Sequence, residues 1–225
     1  MRGKGQPQEV SPVLWRALEY IAQHPGEFWA EVGYHLRLVA VPIAGAVLVA
    51  VPLGILATRV RGLEAPVLSL VNTFQTVPSL ALLALLIPVA GIGERPAMLA
   101  IFLYALLPIL RNTYTGIRSV DPGLLKAARE LGLTPLQRLL MVELPLAFRV
   151  IMAGIRTTVV MGVGVATIAP LIGARGLGRY IIHGLSLLRE ELILVGALPA
   201  ALMAILADRL LGLLEDRLTP RGLKA

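Results

Sequence analysis

Five long stretches of this chain carry no charged residue, and they constrain its fold more than any other feature: 38–58, 65–93, 96–110, 157–174 and 192–207. Crossing ~30 Å of hydrocarbon takes about 20 helical residues. The first and fourth stretches meet that length. The third extends into 112–117, and the fifth extends through Asp208-Arg209 into 210–214. A buried helix of a soluble bundle would carry a polar face at helical spacing, which these stretches lack. Composition agrees, with 56% apolar and 16% charged among 225 residues and a mean hydropathy of +0.78. A soluble domain carries about 25% charged residues to wet its surface. The expected fold class is an all-α integral membrane protein with about five transmembrane helices.

The net charge is +7, but its distribution argues against a nucleic-acid partner. The basic residues flank apolar runs, where they meet lipid headgroups and fix orientation. With the N-terminus outside, twelve basic residues fall on the inner side and eight on the outer, leaving Arg156 within a span. That bias places the 111–149 connection and the C-terminus in the cytoplasm of a multi-pass protein. There is no cysteine, so disulfides and thiolate metal sites are excluded. His24, His35 and His183 have no metal-ligand spacing, no grouping reads as catalytic, and no metal site is expected.

The chain divides into three expected parts. Residues 1–32 are a polar tail, disordered over 1–8, followed by an amphipathic helix broken at His24-Pro25-Gly26. Glu9, Glu19, Glu27 and Glu31 make this part a poor span. Trp15 and Trp29 suit a helix at the membrane interface, and packing against the bundle is an equal reading. Residues 33–214 hold the spans, and 215–225 form a cytoplasmic tail.

The most structured connection is 121–145. Asp121 caps a helix whose first turn takes Pro122. Leu124, Ala127, Ala128 and Leu131 share a face, and Gly132 supplies the left-handed stop. Thr134 and Gln137 are spaced as a capping box for a second helix, which Leu144-Pro145 ends before the next span. A rigid device of this kind with small residues suits a groove on a partner. A pair of helices resting on the membrane surface is the alternative.

Lys126-Ala127-Ala128, Gly132, then Val142, Leu144 and Pro145 resemble the EAA motif of bacterial ABC importer permeases. The first position departs, with Lys126 where that family usually has glutamate. The resemblance implies the type I importer permease fold, in which this segment is a coupling helix docking into an ATPase subunit. Residues Lys126, Ala127, Ala128, Gly132, Leu144 and Pro145 would then carry the coupling. Between residues 36 and 214, Thr76-Val77-Pro78-Ser79-Leu80-Ala81, Pro108-Ile109-Leu110-Arg111-Asn112-Thr113-Tyr114 and Gly173-Ala174-Arg175-Gly176-Leu177-Gly178 are similar to the osmoprotectant branch, which imports glycine betaine, choline or carnitine. The partners this implies are cytoplasmic ATPases that bind ATP and magnesium, a second permease subunit and an external binding protein, in a bacterial inner membrane. No cofactor is expected on this chain.

The second stretch would run about 43 Å as one helix at ~1.5 Å per residue, so a tilt or break is expected, with Pro66, Pro78 and Pro88 as places to bend. Beside Pro78 lie Asn72, Thr73, Gln75, Thr76 and Ser79. They line a translocation path, or they hydrogen-bond within the bundle and relieve backbone groups freed by proline. Arg156 and Asp208 belong to a transport network, snorkel to headgroups or pair inside the bundle. The glycines at 173, 176, 178 and 184 read as a mobile outer turn, as part of a gate or as simple loop flexibility. The rival function is a self-contained channel or ion-coupled transporter, but only Asp208 offers an intramembrane acid, and no clear inverted repeat is found.

Overall fold

A computed structural model describes residues 10–219. The expectations for residues 1–8, and for Arg221 and Lys224, lie outside them. Among the described residues the chain is helical, with ten α-helices in the order α1 (Val10–Gln23), α2 (Pro25–Arg59), α3 (Glu64–Thr76), α4 (Ser79–Ala90), α5 (Glu94–Arg118), α6 (Pro122–Glu130), α7 (Pro135–Arg138), α8 (Leu144–Ile168), α9 (Gly178–Leu187) and α10 (Glu190–Leu218). A π turn, Leu139–Glu143, joins α7 to α8, and a 3₁₀ turn, Ala169–Ile172, follows α8.

Four helical segments are long and apolar enough to span a bilayer: Pro25–Arg59, Glu94–Arg118, Pro135–Ile172 and Glu190–Leu218. The pair α3–α4, bent by 102°, adds a further span when the two helices are taken together. The bend falls where Pro78 removes a backbone donor and pushes Val77 out of helical conformation, at ψ 127°.

Long-range bonds sort the helix ends into two sets. At one end Glu31 binds Arg175, and Gly93 N–H donates to Ile172 O at 2.8 Å. At the other, Arg59 meets Glu143, and the Tyr114 hydroxyl meets Glu64. Glu64 opens α3 and Gly91 closes α4, so the bent pair still runs from one end to the other. These contacts set the alternation of α2, the α3–α4 pair, α5 and α8.

The core lies where α2, α5 and α8 meet, around Leu38, Ala46, Ala50, Ala97, Ala100, Ile101, Ile109 and Ala166. Small residues let the helices close up. A Cβ on Gly154 would sit 2.7 Å from Cβ of Asn112, and one on Gly54 would sit 2.8 Å from Cβ of Thr113. Without a hydrophobic drive between helices in lipid, such close packing is what holds spans together.

Four expectations differ from the structure. The N-terminal helix breaks at His24 as expected, but residues 25–36 are continuous with the first span, so residue 32 lies inside α2. At the other end, 215–218 belong to α10. Leu144-Pro145 does not end a helix. The π turn before it shifts the ladder by one residue, with Leu144 N–H bonding Leu139 O, and Pro145 sits in the first turn of α8, where its missing donor costs little. The expected second short helix is therefore the start of the fourth span. The glycine-rich outer turn is also tightly packed. A Cβ on Gly178 would fall 2.0 Å from the Thr167 carbonyl oxygen, and one on Gly196 would fall 2.5 Å from the Leu177 carbonyl oxygen.

Candidate functional site

The end of the bundle that holds Arg59 and Glu143 carries the 121–145 segment. Asp121 Oδ1 accepts from Gly123 N–H at 2.5 Å and Leu124 N–H at 3.3 Å, holding two of the donors that a helix start leaves free. At the other end of α6, Gly132 takes φ +78°. Gly132 N–H bonds Arg129 O at 2.9 Å and Leu133 N–H bonds Ala128 O at 3.1 Å, the paired bonds of a Schellman stop. Thr134 and Gln137 then form both bonds of the capping box, at 2.8 and 3.3 Å. The short helix is thus fixed at both ends by local bonds.

Its faces are divided differently from the sequence expectation. Ala128 is buried, whereas Leu124, Ala127 and Leu131 are exposed at i, i+3 and i+7. The outward apolar face therefore consists of Leu124, Ala127 and Leu131, and Ala128 seats the helix. Lys126 is exposed and lies 3.9 Å from Glu130, one turn on. Leu144 packs against Ile117, Ala147 and Ile151, so the Leu144-Pro145 part of the motif belongs to the bundle rather than to the projecting helix. Sequence reasoning missed Glu143. It is buried and paired with Arg59, and it is the lone carboxylate between Glu130 and Glu190, a signal that was available.

The polar cluster around Pro78 does two things. Gln75 Nε2 donates to Tyr104 O at 2.8 Å. Tyr104 stands four residues before Pro108, so its carbonyl has lost the donor that an unbroken helix would give it. The Tyr104 hydroxyl in turn donates to Val77 O at the α3–α4 break. Gln75 and Tyr104 thus pin the bend to α5 by satisfying groups freed at two prolines. Thr73 and Thr76 donate to carbonyls of their own helix, Ser69 O at 3.0 Å and Thr73 O at 2.8 Å. Asn72, Thr73 and Thr76 are exposed on α3, and Ser79 is half-buried at the start of α4.

Arg156 pairs within the bundle. Its Nε and Nη2 fork onto Asp208 at 2.9 and 3.0 Å, and Nη1 reaches Glu215 at 3.2 Å. Two turns down α8, Arg149 faces Asp216 at 3.8 Å. The α8–α10 seam is therefore a ladder of two arginines against three carboxylates.

At the opposite end, Glu31 is fully buried on α2 and accepts from Arg175 Nη2 at 2.9 Å, Gly176 N–H at 2.6 Å and Arg179 Nη1 at 3.2 Å. Arg175 also stacks over Tyr34, 3.9 Å from the ring centre, and its bond to Glu31 raises its pKa above the usual arginine value. Nearby Tyr180 is held neutral, its pKa pushed up to about 12, first by burial and then by Glu27. This clasp ties the turn at 173–179 to the first span. Glu31 appeared in the sequence only as a charge unfavourable to a span.

Residues 50–220 match the family model described as the binding-protein-dependent transport system inner membrane component. The chain belongs to this family. It is 44% identical over 207 residues to the choline transport system permease protein OpuBB of Bacillus subtilis (strain 168), covering 92% of this chain and 95% of that one. It is 47% identical over 196 residues to the carnitine transport permease protein OpuCB of Listeria monocytogenes, covering 87% and 88%. It is 44% identical over 212 residues to the osmoprotectant import permease protein OsmW of Salmonella typhimurium, covering 92% and 99%. Among solved structures, the inward-facing MetNI methionine ABC transporter matches with a TM-score of 0.71 at 24% identity, over 87% of this chain and 95% of that one. That likeness establishes the ABC importer permease fold, with α6 at the position between the third and fourth spans.

Proposed function

We propose that the chain is the membrane-spanning subunit of an ATP-driven importer for a small osmoprotectant such as glycine betaine, choline or carnitine. The observation that carries this reading is the agreement of relatives at 43–47% identity, over most of their length, on permeases of such transport systems. The doubly capped α6 supports the coupling role. It is a rigid projection with an apolar face of Leu124, Ala127 and Leu131, suited to a groove on a cytoplasmic ATPase that binds ATP and magnesium. Lys126, Ala127 and Gly132 act at that contact, and Ala128, Leu144 and Pro145 anchor it to the bundle.

A second permease subunit completes the pathway, and an external binding protein delivers the solute. The basic residues gathered near the α6 end support a cytoplasmic position for that end and for the C-terminus, with the N-terminus outside the inner membrane. Asn72, Thr73, Thr76 and Ser79 border the path, and Gln75 holds its wall. Uptake into proteoliposomes tests the reading. Import should require the ATPase, the binding protein and ATP inside the partner's compartment. Import driven by an ion gradient without the ATPase would instead establish a self-contained transporter.

A further inference from the structure

The exposed face of α3 is polar in a helix that is part of a span. Ser69, Asn72, Thr73 and Thr76 stand at i, i+3, i+4 and i+7 and are all exposed. Thr73 and Thr76 use their hydroxyl hydrogens on their own helix. Ser69 and Asn72 have no side-chain partner among the described residues, so the Ser69 hydroxyl and the Asn72 amide remain free to donate. These two side chains share a cavity of about 410 Å³ with Arg111 of α5, between Leu68 and Leu107.

Arg111 is exposed and makes no ion pair or side-chain hydrogen bond among the described residues, in contrast to Arg156, which is bonded to two carboxylates. It lies seven residues before the end of α5 at Arg118, about 10 Å inside that end at ~1.5 Å per residue. No carboxylate lines the cavity. A guanidinium and two neutral donors on one groove, with no carboxylate beside them, suit an anion. A planar fork flanked by further donors matches a carboxylate.

We infer that Arg111, with Ser69 and Asn72, forms a subsite that takes the carboxylate of a zwitterionic solute during passage and so favours carboxylate-bearing substrates over choline. This rests on the osmoprotectant reading above. Glycine betaine and carnitine present a carboxylate. Choline presents only an alcohol and a quaternary ammonium, which gains nothing from a guanidinium.

The test is uptake of glycine betaine and of choline by the assembled importer, with the same binding protein and ATPase, in wild type and in Arg111→Gln, Arg111→Lys and Asn72→Ala. Arg111→Gln is expected to lower betaine uptake at least tenfold relative to choline uptake, with Asn72→Ala shifting the ratio the same way by a smaller factor. Arg111→Lys, which keeps the charge without the fork, should fall between wild type and Gln. Choline import retained in Arg111→Gln shows that the variant is assembled. Equal loss of both substrates would overturn the subsite and assign Arg111 to assembly or to a lipid phosphate. Unchanged uptake of both, or a wild type that imports choline but no betaine, would overturn it too. A wild type that imports neither solute would instead remove the osmoprotectant reading on which the inference stands.

Discussion

Arg59, in the last turn of α2, donates to the carboxylate of Glu143, 84 residues further along the chain in the π turn that leads into α8. The two side chains are unequal in burial, 42% exposed for Arg59 and 5% for Glu143. This bond fixes the end of the first span to the base of the segment that carries α6, so a push on α6 reaches two spans at once.

The inequality makes the two halves of the pair respond differently. Arg59→Ala strands a buried carboxylate and is expected to cost about 3 kcal/mol, the low end for a broken buried pair. Glu143→Gln removes the buried charge, keeps a hydrogen-bond acceptor and leaves Arg59 free to reach water, so its cost should be below about 1.5 kcal/mol, that of one ordinary bond. Thermal unfolding of the purified protein in detergent ranks the two. A larger loss in Glu143→Gln would show that the carboxylate is not held as a charge.

Gly132 meets no atom within 4 Å of a built Cβ, yet holds φ +78°. Space is not the constraint there; backbone conformation is. Gly132→Val should cost about 1–2 kcal/mol at that residue, paid locally by loss of the Schellman stop and a change in the aim of α6. Gly132→Asn should be milder, since asparagine tolerates this region. The expected phenotype is ATP hydrolysis that continues without import. On the same helix, Ala127→Trp should leave the subunit as stable as wild type and weaken its binding to the ATPase. Ala128→Trp should unseat α6 and lower stability. Co-purification with the ATPase and melting temperature separate the two.

Local sequence rules reached the features whose partners lie within a few residues. Asp121, Gly132 and the Thr134–Gln137 box were legible because each bond spans at most five positions. The break at Pro78 followed from the length of its stretch and a missing donor. The same kind of rule misread Leu144-Pro145, because a π turn absorbs the proline, and nothing in a local pattern distinguishes that from a stop. The glycines from 173 to 184 read as flexible because what they approach, such as the Thr167 carbonyl, belongs to another element. The pairs that organise the two ends, Arg59–Glu143 and Glu31–Arg175, are 84 and 144 positions apart. A sequence alone names such charges without naming their partners. The polar cluster near Pro78 left two readings open, and the Gln75–Tyr104 bond supports the packing reading for one of its members.

If Gln75 serves to satisfy the carbonyl that Pro108 leaves without a donor, the two residues are coupled. Gln75→Ala alone should cost about 1–3 kcal/mol, the penalty for a buried carbonyl left unpaired. In Pro108→Ala the new N–H can bond Tyr104 O, so adding Gln75→Ala on that background should cost clearly less. A double-mutant cycle on thermal stability measures the difference. A direct role for Gln75 in passage predicts the opposite. Gln75→Ala would then impair import to the same degree whether residue 108 is proline or alanine.

Arg156 presents the same choice between transport and architecture, and its geometry favours architecture. Each of its three nitrogens is engaged, two on Asp208 and one on Glu215, so its charge is already matched by carboxylates of the bundle. Arg156→Ala leaves two carboxylates without their shared counter-charge and should lower the melting temperature. Arg156→Lys keeps the charge but loses the fork, and should recover only part of that. Replacing the whole set with apolar or neutral groups of similar size, as Arg156→Met with Asp208→Leu and Glu215→Gln, removes every charge that needs a partner. Such replacements are commonly neutral or stabilising. The triple variant should therefore melt near wild type and still import. A variant that is stable in detergent but imports nothing would place the α8–α10 ladder in the transport cycle itself, with the Arg156–Asp208 pair opening in one of its states.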